Sequence, residues 1–152
     1  MEVNMFQSKI EVFADRLNAV LPVIIKEFSR RQTNELYRGH ISLAQFLILE
    51  FLQREGESRM SALARAMHVT TAAMTGFIER LVRDGYALRQ SDPDDRRVIR
   101  IRLTPKGAGL VHKINHQRRT MVIKIFGKIS ERERHDYLKI LTHIKEILAE
   151  EA

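Results

Sequence analysis

Residues 91–107 read SDPDDRRVIRIRLTPKG, and this stretch predicts a β-hairpin with a charged tip. Residues 98–103 are predicted to form a strand, because arginine alternates there with apolar residues in the period-two pattern of a half-buried strand. Residues 87–90 supply the partner strand, and the aspartates and Pro93 between the strands are turn-forming residues. The predicted tip, residues 92–97, therefore carries acids followed by two arginines.

Two short helices are predicted before the hairpin. Residues 60–67 (MSALARAM) and residues 70–84 (TTAAMTGFIERLVRD) place apolar side chains three or four positions apart, as on one face of a helix. Because only two residues separate these segments, a tight helix-turn-helix is expected. The hydroxyl of Thr70 or Thr71 can cap the second helix. The predicted shared core consists of Leu63, Met67, Val69, Met74, Phe77, Ile78 and Leu81.

Further helices are predicted on both sides of this region. Residues 6–28 have the apolar spacing of a long helix, with a kink or break expected at Pro22 because proline removes a backbone hydrogen bond. Residues 42–54 are apolar nearly all round and predict a second helix. After the hairpin, one helix is predicted to begin at Pro105, and a Ser-x-x-Glu capping box at 130–133 begins the last.

Composition places the chain among globular proteins of one domain. It has 152 residues, of which 44% are hydrophobic and 30% are charged. It contains no cysteine, which excludes disulfides, thiolate metal sites and thiol-based redox sensing. No apolar run approaches the roughly 18 residues of a transmembrane helix, and the first residues lack the pattern of a signal peptide. A cytoplasmic protein with no membrane partner is therefore expected.

Positive charge is concentrated in the middle of the chain. The net charge is +7, and residues 58–106 carry ten basic and five acidic side chains, whereas residues 1–57 carry seven and eight. A localised basic segment is typical of proteins that bind polyanions such as nucleic acid. A generic solubilising surface would have the same charge, so the charge alone leaves both interpretations open.

A helix-turn-helix followed by an arginine-tipped hairpin is the order of a winged helix that binds double-stranded DNA. The major groove admits one α-helix, which reads it with residues near its N-terminal end and on its outer face. The negative potential of the minor groove attracts arginine at the tip of a wing. The residues predicted to contact DNA are Thr70, Thr71, Ala73, Thr75, Gly76, Arg80, Arg96, Arg97 and Arg100.

Residues 92–107 (DPDDRRVIRIRLTPKG), supported by residues 61–89 (SALARAMHVTTAAMTGFIERLVRDGYALR), resemble the MarR family of bacterial and archaeal transcription regulators. The resemblance covers nearly the whole chain, because the helices before and after also fit. It implies a single MarR-like domain that is mainly α with a small β-hairpin wing. In this domain a winged helix-turn-helix, residues 42–106, is flanked by dimerisation helices at residues 1–32 and 108–152.

The resemblance also implies a function and roles for individual residues. It implies a homodimeric repressor that binds a pseudo-palindromic operator and is released by a small, often phenolic, effector. By analogy, Asp95 and Arg97 would form the ion pair that shapes the wing, and Arg96 would probe the minor groove. Gly76 stands where many relatives have a larger polar residue. The implied effector pocket would include His40, Ser42, Gln45 and Phe46.

Other functional classes find less support in the sequence. There is no cysteine nucleophile, glycine-rich phosphate loop or G-x-S-x-G motif, so neither an enzyme nor a cofactor is expected. His112 and His116 share a helix face, but no acid lies between them and no third ligand is evident, so no metal site is predicted. Two alternatives stay open, namely a DNA binder that senses no ligand and a winged helix that binds another protein.

Overall fold

The computed structural model describes residues 2–31 and 40–151, which form two compact units divided between Val111 and His112. Six helices and three strands make up the described chain. In chain order they are α1 (Glu2–Arg31), α2 (Leu43–Glu55), β1 (Ser58–Arg59), α3 (Met60–Ala66), α4 (Thr71–Arg83), β2 (Ala87–Ser91), β3 (Ile99–Leu103), α5 (Pro105–Phe126) and α6 (Glu131–Glu150). The predicted fold class, mainly α with a small β-hairpin, is confirmed.

The strands form one antiparallel sheet in the order β1-β3-β2. β2 and β3 pair from Ala87 opposite Leu103 to Ser91 opposite Ile99, so the predicted hairpin is confirmed with its strand ends within one residue. β1 pairs with the other edge of β3 and was not predicted. Its two residues are too few to show a period-two pattern.

The core of the first unit joins α2, α3, α4 and the sheet. Its completely buried side chains, each at most 1% exposed, are Phe46, Ile48, Leu49, Leu52, Leu63, Met74, Ile78, Leu81, Ala87, Ile101 and, from the first part of α5, Val111. Four members of the predicted helix-turn-helix core are therefore confirmed, whereas Met67, Val69 and Phe77 are only half-buried. This packing fixes α4 by one side and leaves its other side exposed.

α1 runs without interruption through Pro22, so the helix does not break there, and the kink that was the other expectation stays a prediction. The loss of one backbone hydrogen bond does not end a helix of 30 residues whose apolar spacing continues on both sides of the proline. Among the residues described, no helix is both long and apolar enough to cross a membrane. Large apolar side chains of α1 that are at least 40% exposed include Ile10, Phe13, Leu17, Val20, Leu21, Ile24 and Ile25.

Side chains cap four of the described helices, namely α2, α4, α5 and α6. The hydroxyl of Thr70 accepts a hydrogen bond from the backbone at the start of α4, which selects Thr70 from the two predicted caps. Ser130 and Glu133 form the predicted capping box of α6. Hydrogen bonds from the hydroxyl and the backbone N–H of Ser130 hold the pKa of Glu133 below its usual range. α2 begins with a similar box between Ser42 and Gln45.

The second unit contains most of α5 and all of α6. The rings of Phe126 and Tyr137 lie 5.4 Å apart across the turn between these helices. Arg134 Nη1 donates to the carbonyl oxygens of Phe126 at 3.1 Å and Ile129 at 2.6 Å, which satisfies acceptors at the end of α5. None of the residues of α6, all of which the structure describes, is buried. Its large exposed apolar side chains are Tyr137, Leu138, Ile140, Leu141, Ile144, Ile147 and Leu148.

Candidate nucleic-acid interface

The turn between α3 and α4 sets the direction of α4. His68 has a φ of +51°, which is uncommon for a residue with a side chain. The N–H of Val69 then donates to the carbonyl oxygen of Ala64 at 3.0 Å and closes the turn. This conformation of His68 was not predicted, because glycine is the usual residue at a positive φ and His68 stands between Met67 and Val69, which are not turn-forming residues.

The N-terminal half of α4 presents short side chains to solvent. Thr71 and Ala73 are exposed, and Thr75 and Gly76 are partly exposed. The Thr75 hydroxyl donates to the carbonyl oxygen of Thr71 at 2.9 Å, so its oxygen is left to accept and its methyl group to make apolar contacts. A Cβ at Gly76 would meet no described atom within 4 Å, so packing within the described residues does not explain this glycine.

The C-terminal half of α4 carries its positive charge. The guanidinium carbon of Arg80 lies 6.0 Å from the centroid of the Phe77 ring, a cation–π contact at a partly exposed site. Arg83 Nε lies 3.2 Å from Asp84 Oδ1. Both arginines are exposed at the end of the helix, where phosphate contacts are expected rather than base contacts.

At the wing tip, Arg97 forms an ion pair with Asp95, whereas Arg96 has no partner among the described residues. Asp95 Oδ1 accepts from the backbone N–H of Arg97 at 3.0 Å and from its Nε at 3.3 Å. The Arg97 side chain is nevertheless 92% exposed. Arg96 is exposed and makes no hydrogen bond or ion pair with any residue that the structure describes. The residues implied to pair at the wing thus lie together, and Arg96 projects beside them.

The base of the wing contains an ion-pair network that the sequence analysis did not predict. Arg100 Nε donates to Asp92 Oδ2 at 2.6 Å, and Arg100 Nη1 donates to Glu57 Oε1 at 2.8 Å. The Asp92 side chain is only 3% exposed and that of Arg100 is 31% exposed. Two carboxylates therefore hold the guanidinium group of Arg100 against the wing, where its side chain is half-buried. Glu57 lies 43 residues away in the sequence, which hides the contact from local pattern analysis.

Hydrogen bonds also stabilise the charged forms of this network. The backbone N–H of Asp94 and the guanidinium group of Arg100 hold the pKa of the Asp92 carboxyl below its usual range. The same hydrogen bond from Arg100 to Asp92 raises the pKa of Arg100. Asp92 and Arg100 therefore stay ionised at neutral pH, and the bond from Arg100 to Glu57 links the wing to the segment that follows α2.

A second set of contacts joins the end of α4 to the start of α5. The Thr104 hydroxyl donates to the carbonyl oxygen of Gly85 at 2.7 Å and accepts from the N–H of Gly107 at 3.0 Å. Lys106 Nζ donates to the carbonyl oxygen of Asp84 at 2.7 Å and lies 4.8 Å from the centroid of the Tyr86 ring. We call these contacts the α4–α5 joint. The sequence T-P-K-G at 104–107 thus positions the last turn of α4.

The residues implied to form an effector pocket lie at the start of α2. Ser42 Oγ accepts from the N–H of Gln45 at 3.2 Å, and Gln45 Oε1 accepts from the N–H of Ser42 at 2.9 Å. Phe46 is completely buried in the core, whereas His40 is exposed. The side chains of Ser42, Gln45 and Phe46 therefore already have structural contacts within the chain.

His112 and His116 lie side by side on α5, with ring centroids 6.5 Å apart. Across the described residues, no group of three or more metal-ligating side chains comes together. The two histidines therefore form a stacked pair in this structure.

Comparison with known proteins places this arrangement in a family. Residues 41–99 match the sequence model of the MarR family. The structure of a MepR-like protein complexed with pseudoligands is 31% identical, covers 88% of this chain and 94% of that one, and superposes with a TM-score of 0.59. FabT of Streptococcus pneumoniae, crystallised in complex with DNA, is 26% identical with coverage of 97% and 99% and a TM-score of 0.71.

A relative known from its sequence agrees with this assignment. The HTH-type transcriptional repressor YetL of Bacillus subtilis is 29% identical over 111 residues, which are 72% of this chain and 66% of that protein. MarR-family proteins are transcription regulators and not enzymes. The chain therefore belongs to the MarR family and is a DNA-binding transcription regulator with a winged helix-turn-helix.

Proposed function

We propose that this protein is a homodimeric repressor that binds a pseudo-palindromic operator and releases it when a small ligand binds. The observation that carries the proposal is the arrangement of the first unit, in which α4 buries one side and exposes the other. The structure of FabT with DNA supports operator binding, and the name of YetL supports repression. Because the operator is chromosomal, the protein acts in the cytoplasm.

The winged helix-turn-helix of residues 42–106 contacts DNA in this proposal. α4 enters the major groove, where the hydroxyl and methyl groups of its first turns meet base edges and Arg80 meets a phosphate. Arg96 enters the minor groove, and Arg97 supports the wing tip through Asp95. Arg100 positions the wing through its two carboxylate partners and does not itself bind DNA. The residues of α4 and its cap in direct contact are Thr70, Thr71, Ala73, Thr75, Gly76 and Arg80.

Dimerisation occupies the flanking helices, within residues 1–32 and 108–152. α1 and α6 both expose long apolar stripes, and contiguous apolar patches of this kind are rare on monomers. In this proposal a second copy of the chain covers these apolar stripes. The resulting two-fold dimer presents two α4 helices to two half-sites. The half-sites are separated by one helical turn of DNA, about 34–36 Å.

Ligand release follows from a change in this separation. The dimer has a state whose α4 separation fits the operator and a state with a different separation. A ligand that binds the second state more tightly lowers operator affinity, and its differential affinity for the two states limits the size of the effect. The MepR-like structure with pseudoligands supports a binding site for small molecules, of which a phenolic or other aromatic compound is our candidate. The start of α2, from His40 to Phe46, is the proposed location.

One observation favours a second candidate, a regulator that binds DNA without sensing a ligand. Ser42 and Gln45 satisfy each other's hydrogen bonds in the capping box, and Phe46 fills the core. A ligand that uses these side chains would have to replace contacts already made. Two measurements decide between the candidates: calorimetric titration of the purified dimer with salicylate or another phenol, and operator binding with and without that phenol at saturation. Ligand sensing requires that the phenol binds and that operator binding is weaker in its presence.

The operator is tested by selection of random duplex DNA on the purified protein. The proposal predicts an enriched inverted repeat, bound by a dimer, with an affinity that falls steeply as salt rises. Arg96→Ala should weaken binding to the selected operator, while Arg132→Ala, which removes a 92% exposed side chain from α6, should not. Failure to enrich any sequence, or equal losses from both variants, would contradict the proposed contact.

A further inference from the structure

Glu79 is an acidic side chain on the exposed side of α4. The opposite side of the helix is buried through Met74, Ile78 and Leu81, each at most 1% exposed. At 3.6 residues per turn, the positions furthest from these three side chains recur at spacings of four, three and four along the helix. We call this row the outer line of α4, and it consists of Ala72, Gly76, Glu79 and Arg83.

The Glu79 carboxylate is available to accept hydrogen bonds. It makes no hydrogen bond or ion pair with any residue that the structure describes. The nearby cations have other contacts, since Arg80 lies over the Phe77 ring and Arg83 Nε lies 3.2 Å from Asp84. Pairing within the helix therefore does not account for an acid at this position.

Electrostatics excludes a general contribution of Glu79 to DNA affinity. Residues 58–106 carry ten basic and five acidic side chains, and phosphates repel each of the acids. A carboxylate on the DNA-facing side therefore weakens binding to every sequence unless a base offers it a hydrogen-bond donor. In the major groove the donors are the N4 amino group of cytosine and the N6 amino group of adenine, whereas guanine and thymine offer acceptors that repel a carboxylate. The N6 amino group of adenine lies beside the N7 acceptor, which also repels a carboxylate, so cytosine is the favoured partner.

We propose that Glu79 is a specificity-determining residue, whose carboxylate accepts a hydrogen bond from the N4 amino group of one cytosine in each operator half-site. This inference rests on the proposed function, because it requires α4 to lie in the major groove. Ala72 and Gly76 leave the outer line almost bare before Glu79, and a Cβ at Gly76 would meet nothing within 4 Å of the chain. The helix can therefore approach the base edges closely, and Glu79 is the first long side chain on the outer line to reach them.

The test is selection of random duplex DNA with the full-length protein and two substitutions, Glu79→Ala and Glu79→Gln. Glu150→Ala is the matched control, because it removes the same charge from an exposed residue of α6. The wild type should prefer a C·G pair at one position of each half-site. Glu79→Ala should reduce that preference about tenfold and leave the other positions unchanged, as for the loss of one base contact. Glu79→Gln should shift the preference towards A·T, because glutamine pairs with N6 and N7 of adenine.

A second readout separates base contact from a structural role. Binding of Glu79→Ala to a random duplex at matched salt should equal or exceed that of the wild type, because a phosphate-repelling charge is removed. Unchanged base preferences in Glu79→Ala, or a uniform loss at all positions, would overturn the role of Glu79 and leave the proposed function standing. If the wild type itself enriches no sequence, the proposed function fails and the role of Glu79 fails with it.

Discussion

Gly107 allows the α4–α5 joint to be tested with a single methyl group. A Cβ at this position would overlap the carbonyl oxygen of Tyr86 and would lie 2.7 Å from Cδ1 of Leu103. The Tyr86 carbonyl cannot turn away freely, because it also accepts from the N–H of Thr104 at 3.1 Å. Gly107→Ala therefore has to push the first turn of α5 away from the end of α4.

Two opposing effects determine the size of the change. Alanine is more favourable than glycine inside a helix by about 0.8–1.0 kcal/mol. Overpacking of a well-packed site costs about 1–3 kcal/mol, and the upper half of that range applies here because the neighbour is backbone. The free energy of unfolding should therefore fall by about 1–2 kcal/mol in Gly107→Ala. At the exposed Gly109, a Cβ would meet nothing within 4 Å, so Gly109→Ala should gain up to about 1 kcal/mol.

Urea denaturation followed by circular dichroism measures both variants. The protein concentration must be the same in all samples, because the stability of the proposed dimer would depend on it. Binding to the selected operator should weaken in Gly107→Ala and stay unchanged in Gly109→Ala, since only the former displaces α4. If Gly107→Ala were as stable as Gly109→Ala, the close approach of α5 to Tyr86 would be refuted.

The cap of α4 and the base of the wing give three further predictions. Thr70→Ala should lower the free energy of unfolding by about 1 kcal/mol, whereas Thr70→Asp should not, because only aspartate keeps an acceptor for the N–H of Ala73. Equal urea midpoints for the two variants would contradict the role of Thr70 as a cap. Because the folded-state pKa of Asp92 is depressed, its contribution to stability is present above its ordinary value of 3.8 and is lost as the pH falls through the folded pKa. The protection of the β3 amides, measured relative to the intrinsic exchange rate at each pH, should fall over that acidic range in the wild type but not in Asp92→Asn, and identical profiles would refute the linkage. Arg100→Gln should weaken operator binding. If Arg100 acts only by positioning the wing, this loss should disappear in an Arg96→Ala background. Additive losses would instead indicate a direct contact between Arg100 and DNA.

Local periodicity made most of the fold predictable from the sequence. The alternation of arginine with apolar residues in 98–103 correctly predicts β3, and helical spacing correctly predicts α2 to α6. Thr70 and the Ser130 capping box could be predicted because each requires only residues three positions apart. These features depend on backbone geometry that short segments determine by themselves.

The errors and omissions involve contacts between distant segments. Alternation places Arg100 opposite the apolar face of β3, but it could not predict the ion pairs with Asp92 and Glu57 that hold the side chain half-buried. β1 was missed because only two of its residues pair with β3, and two residues are too few to show an alternating pattern. The positive φ of His68 was missed because the packing of α3 and α4, not the residue type, imposes it.

Arg96, Arg97 and Arg100 differ in their partners, and this difference separates their roles in a way that the sequence alone could not. Asp92 engages Arg100 at the buried base, and Asp95 engages Arg97 at the exposed tip. Each of these positive charges is therefore offset by a carboxylate within 3.3 Å. Arg96 has no such partner in the described part of the chain, so its charge is not offset at short range. A narrow minor groove attracts an arginine whose charge is not already neutralised. This difference supports Arg96 as the residue that enters the groove, with Arg97 and Arg100 holding the wing in the position that makes entry possible.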